Sequence, residues 1–107
     1  AGLVGGSFGG AYHASKHGVV GLSKAAAIEY GNSGIRVNAV CPGVIRTSMA
    51  ERVIKDDQHE GRVTSLHPLG RLGTADEVAA TVVWLCSDSS SFVTGQALAV
   101  DGGFVAQ

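Results

Sequence analysis

The most regular pattern of apolar and polar positions lies between Thr74 and Ser87. Val78, Val82, Leu85 and Cys86 fall at i, i+4, i+7 and i+8, and Ala79 and Val83 widen the stripe. Thr74 and Glu77 form a T-x-x-E capping box ahead of it, so the spacing predicts a helix from about Ala75 to Ser87. A longer helix is predicted from Ala11 to about Tyr30, with Val19, Val20, Leu22, Ala25, Ala26, Ala27 and Ile28 as apolar content. Gly18 and Gly21 interrupt it. A glycine inside a helix costs about 0.5–1 kcal/mol against alanine, and close approach of another backbone or helix is the usual reason for one. Gly31, Asn32 and Gly34 supply the stop. Ile35 to Val40 reads as a short buried strand rich in β-branched residues, and Ala97 to Val100 as a second, ended by Asp101-Gly102-Gly103. Strand, helix, strand in that order predicts a parallel crossover and an α/β fold.

Residues 48–67 are the most polar part of the chain, with Glu51, Arg52, Lys55, Asp56, Asp57, Glu60 and Arg62 dispersed among Met49, Val53, Ile54 and Leu66. One or two short helices with a solvated face, or a mobile lid over a substrate, both fit this composition. His67-Pro68-Leu69-Gly70-Arg71 closes the segment as a turn. Residues 1–10 hold five glycines, at 2, 5, 6, 9 and 10. No two glycines in the chain are separated by a single residue, so G-x-G-x-x-G is absent, and no P-loop is present either. The opening therefore reads as a flexible loop leading into a helix.

Composition narrows the function classes. The 107 residues are 45% apolar and 16% charged, with a net charge of −1, as expected of a soluble globular sequence. Eight basic residues are scattered and matched by nine acidic ones, which argues against nucleic acid as a partner. No apolar run approaches the roughly 18 residues of a membrane span. Ala1 to Gly6 lacks the basic start of a signal peptide. Cys41 and Cys86 are expected to be buried free thiols of a cytoplasmic protein. The single methionine is Met49, and Ala1 opens within what reads as a strand-to-helix loop, so the chain is expected to be a fragment.

Candidate chemistry begins with Tyr12 and Lys16. Four residues apart on a helix, they share one face. A fixed cation beside a phenol favours its ionised form, and each unit of pKa depression corresponds to about 1.4 kcal/mol. Spacing alone equally allows a solvent-facing pair with the lysine stem lying on the ring. His13 and His17 are also four apart, but the Glu of H-E-x-x-H and a third ligand are missing, so no metal site is expected. In a parallel α/β sheet ligands bind beyond the carboxyl ends of strands, which makes Pro42-Gly43-Val44-Ile45-Arg46-Thr47 the expected binding loop. There Pro42 fixes φ, Gly43 lets a ligand approach the backbone, and Thr47 offers a hydroxyl.

Taken together, these segments resemble the C-terminal part of a short-chain dehydrogenase/reductase. Tyr12-His13-Ala14-Ser15-Lys16 matches the Y-x-x-x-K signature and Pro42 to Thr47 the P-G-x-x-x-T cofactor loop. Gly70-Arg71-Leu72-Gly73 with Glu77-Val78-Ala79, and Thr94-Gly95-Gln96 with Val100 to Gly103, match the later segments. The resemblance covers essentially the whole chain. It implies the C-terminal portion of one Rossmann-type, doubly wound parallel sheet over residues 1–107, with the N-terminal dinucleotide-binding part lying elsewhere.

The resemblance also implies an NAD- or NADP-dependent oxidoreductase that interconverts a small or cyclic alcohol and its ketone or aldehyde. Tyr12 would be the general acid/base. Lys16 would lower the phenol pKa and bind the nicotinamide ribose. The backbone of Ile45 and the Thr47 hydroxyl would hold the carboxamide, with Pro42 and Gly43 shaping the loop. Residues 48–67 would bind substrate, and the helix bearing Gly18 and Gly21, together with the final helix and strand, would serve the two interfaces of a homodimer or homotetramer. The family's catalytic serine would precede Ala1, since Ser7 is too near Tyr12 for that role. A non-catalytic oligomerisation or scaffold module built on the same fold is the alternative.

Overall fold

The computed structural model describes residues 1–54 and 56–107; Lys55 of the polar segment lies outside the described residues. Helix α1 spans Gly10–Tyr30 and has no side-chain cap at its start. A single 3-10 turn, Gly31–Ser33, follows, and Gly34 at φ 75° ends it, a conformation that glycine adopts without a Cβ clash. Val20 and Ala27, seven residues apart on one face of α1, are buried. Gly18 and Gly21 face open space, where an added Cβ would meet nothing within 4 Å. The close approach expected of them is thus not made by any described residue.

Strand β1 is Ala39–Pro42, not Ile35–Val40. It pairs in parallel with β4, Ala97–Val100, in a register running from Ala39 opposite Ala97 to Pro42 opposite Val100. Four residues of β4 supply ladder partners for only four residues of β1. The segment before β1 is instead held by the loop before β4: Gly95 N donates to Val37 O at 2.7 Å and Val37 N to the Thr94 hydroxyl at 3.1 Å. Asn38 accepts from Gln96 N and donates to Val93 O, both at 3.0 Å. Both backbone groups of Val37 are therefore satisfied by irregular structure, with the Asn38 side chain tying the same two segments together.

Beyond β1 a two-residue strand β2, Ile45–Arg46, pairs in parallel with β3, Gly73–Thr74. Between them lie helices α2, Ser48–Val53, and α3, Asp57–Ser65, in the segment expected to hold one or two short helices. Helix α4, Ala75–Leu85, begins at the predicted capping box, and Thr74 and Glu77 cap each other reciprocally. Its apolar stripe is only partly covered. Leu85 is buried, whereas Val82 and Val83 keep 42% and 68% of their surface. Cys86 is exposed and Cys41 half-buried, so the expectation of two buried thiols is corrected. α4 and α1 both pack on β1, and the core they share is small: Val20, Ala27, Ala39, Leu72 and Leu85.

Candidate active site

Tyr12 and Lys16 stand in the first two turns of α1, and the helix brings them together as their spacing requires. The Lys16 ammonium lies over the Tyr12 ring, 5.4 Å from its centroid. Phe8, from the glycine-rich opening, and His13 flank the same ring with centroids at 5.6 and 5.8 Å. Tyr12 keeps 45% of its surface. Among the described residues neither its hydroxyl nor the Lys16 ammonium has a hydrogen-bonding partner. Both are free to meet a ligand.

The two neighbouring histidines are committed to the helix itself. His13 Nδ1 donates to Gly9 O at 3.1 Å, and His17 Nδ1 to His13 O at 2.9 Å. No cluster able to hold a metal ion occurs among the described residues.

The loop after β1 is built by close packing. Gly43 N donates to Val100 O at 2.9 Å, and a Cβ on Gly43 would fall 2.8 Å from Asp101 Cα and 3.2 Å from His67 Nε2. On the side where a Cβ would stand, it is the Asp101 backbone that approaches this glycine, so packing is by itself a reason for glycine here. The loop is still shaped by Gly43, because no side chain fits there. Asp101 is in turn locked, its carboxylate accepting from Gly103 N and Val105 N, both at 3.0 Å.

Thr47 caps α2, its Oγ1 accepting from Ala50 N at 3.3 Å. A hydroxyl that accepts one bond still carries a proton to donate, so capping leaves Thr47 able to bind a carbonyl oxygen. Arg46 is ion-paired with Glu60 of α3, which joins the loop to the polar segment.

Beside this loop a cleft of about 430 Å³ is lined by Val44, Ile45, His67, Glu77, Val100 and Asp101, among others. Tyr12 and Lys16 do not line it. The structure brings Tyr12 to Lys16, and it places Pro42, Gly43, Ile45 and Thr47 along the short segment from the end of β1 to the start of α2, of which Ile45 lines the cleft. At the mouth of the cleft Arg71 grips Glu77 through two parallel bonds of 2.7 and 2.8 Å. That guanidinium, with the Thr74 N–H, lowers the Glu77 carboxyl to about 2.

His67 is the residue that sequence reasoning missed. It is 4% exposed, the buried one of the four histidines. The sequence placed it in a turn, and no periodicity singled it out, because two of its contacts, Val44 and Phe104, come from distant segments.

With this geometry in place, the match to known proteins is direct. Residues 1–105 fit the family model described as enoyl-(acyl carrier protein) reductase. The chain belongs to the short-chain dehydrogenase/reductase family. It is 50% identical over 107 residues to 2,5-dichloro-2,5-cyclohexadiene-1,4-diol dehydrogenase of Sphingobium indicum, covering 99% of this chain and 43% of that protein. It is 47% identical over 107 residues to cyclohexanol dehydrogenase of an Acinetobacter species, covering 100% and 41%. The solved structure of 4-hydroxyisoleucine dehydrogenase complexed with NADH superposes with a TM-score of 0.93 at 36% identity, over 99% of this chain and 44% of that one. Other solved relatives hold NADP. The chain thus has the Rossmann-like α/β fold of this family and spans less than half the length of these relatives.

Proposed function

We propose that this chain contributes the acid/base half of the active site of an NAD- or NADP-dependent oxidoreductase interconverting an alcohol and its ketone or aldehyde. In this reading residues 1–107 are the C-terminal portion of one Rossmann-type domain. The observation that carries it is the half-exposed Tyr12, whose hydroxyl has no hydrogen-bonding partner among the described residues and whose ring lies under the Lys16 ammonium, in a chain of this family. The donors present suit the cofactor: an ammonium for ribose hydroxyls, and a hydroxyl proton on Thr47 for a carboxamide oxygen. When bound, the cofactor supplies the hydride acceptor or donor.

In oxidation the ionised Tyr12 Oη takes the proton of the substrate hydroxyl and becomes the neutral phenol; in reduction the phenol gives its proton to the carbonyl oxygen and is left ionised. The Lys16 cation stabilises negative charge developing on the phenol oxygen and donates hydrogen bonds to the ribose. Ile45 and Thr47 orient the nicotinamide, Pro42 and Gly43 hold the loop, and α2 and α3 cover the substrate. The two dehydrogenase relatives named for six-membered rings support a cyclic alcohol as substrate. Free thiols without a disulfide suit a cytoplasmic location.

In the full-length protein, Tyr12→Phe should leave cofactor affinity unchanged while kcat falls by about 10²-fold or more. Turnover within a few-fold of the parent would overturn the assignment.

A further inference from the structure

His67 joins three segments that are far apart in sequence. Its Nδ1 lies 3.0 Å from Val63 O, near the end of α3, and its Nε2 lies 3.4 Å from Val44 N, in the loop after β1. Its ring centroid is 5.7 Å from that of Phe104, in the C-terminal turn. A carbonyl can only accept and a backbone N–H can only donate, so the two partners assign the tautomer with hydrogen on Nδ1 and Nε2 as acceptor. Gly43 completes the seat, since a Cβ there would press on Nε2 at 3.2 Å.

We infer that His67 is a positioning residue: it latches Val44, the chain neighbour of Ile45, to the end of α3 and so sets the loop that meets the cofactor. The inference rests on the reading of Pro42 to Thr47 as that loop. The latch is polar and part-buried: the His67 ring is buried, whereas Val44 keeps 36% of its surface. It also explains why a histidine, with one donor and one acceptor on a single rigid ring, occupies the turn.

Two short amides separate the bonds. His67→Gln carries an oxygen near the Nε2 position and can still accept from Val44. His67→Asn keeps a donor near Nδ1 and loses that acceptor, and His67→Phe keeps the ring and loses both. In the full-length protein, His67→Phe and His67→Asn should raise the cofactor Kd by up to about tenfold, the upper size of one lost neutral hydrogen bond, with kcat at saturating cofactor changed less than about twofold. His67→Gln should stay within about threefold of the parent. Hydrogen exchange at the Val44 amide should accelerate in the Phe and Asn variants and not in the Gln variant.

Exchange unchanged in His67→Asn, or a Gln variant as impaired as the Phe variant, overturns the latch. If His67→Phe fails to fold, the Gln and Asn pair still decides. Thr47→Val, measured in parallel, separates the two ideas. No effect of Thr47→Val on cofactor Kd counts against the cofactor loop, while the Val44 exchange result still judges the latch.

Discussion

A single hydrogen atom at Gly43 lets the loop after β1 lie against Asp101. The nearest atom to a Cβ there is backbone, Asp101 Cα at 2.8 Å, and the next is Asp101 Cβ at 3.0 Å. Neither can swing away, since Asp101 is fixed by its place after β4 and by two backbone donors to its carboxylate. Gly43→Ala is therefore expected to lower the stability of the full-length protein by about 1–3 kcal/mol, as overpacking does, read from the midpoint of urea unfolding. An unchanged midpoint would show that the loop relaxes freely. The pair Tyr12 and Lys16 was legible in the sequence because helical spacing alone brings residues four apart together. The reason for Gly43 was not, because Asp101 and His67 reach it from elsewhere in the chain. His67 was invisible for the same cause: its bond to Val63 is local, but its bond to Val44 and its contact with Phe104 depend on where distant segments end.

Among elements, α4 shows what local sequence can specify. Its capping box needs only Thr74 and Glu77, three residues apart, and the helix starts where they put it. Its buried face could not be read so easily, because Leu85 is covered and Val83 is not, which depends on what packs against the helix. Strand β1 was displaced from Ile35–Val40 to Ala39–Pro42 because β4 decides which residues find ladder partners.

The cap also carries a pH dependence. Arg71, then the Thr74 N–H, depresses the Glu77 carboxyl from 4.5 to about 2 in the folded chain. A depressed carboxyl contributes stability that is fully present above its unfolded value and is lost as pH falls through the folded one. The stability gap between the parent and Glu77→Gln should therefore hold at neutral pH and shrink between about pH 4.5 and about pH 2. Because both side chains are exposed, added salt should narrow the gap as well. A gap independent of pH over that window would mean that the carboxylate charge does not matter to the cap.

At the scale of the whole molecule, the described chain leaves much apolar surface uncovered. Its radius of gyration is 15.3 Å, against about 13 Å for a compact domain of this length. Leu22 and Ile28 on α1 keep 71% and 86% of their surface, and Phe92 is fully exposed. The parallel pair β1 and β4 stands alone as a two-stranded sheet, although parallel sheets are ordinarily buried on both faces. No described helix is long and apolar enough to cross a membrane, so lipid spanned by these helices does not account for that surface.

We propose that further strands of a Rossmann-type sheet and a second copy of the protein cover these faces. Residues 1–107 produced alone should then bind a hydrophobic dye, show weak near-ultraviolet dichroism from Trp84 and unfold without a sharp transition. The full-length protein should unfold cooperatively and sediment as a dimer or tetramer. A sharp unfolding transition for residues 1–107 alone, with a defined oligomer, would favour the scaffold module instead, since a self-sufficient core would then exist without the rest of the sheet.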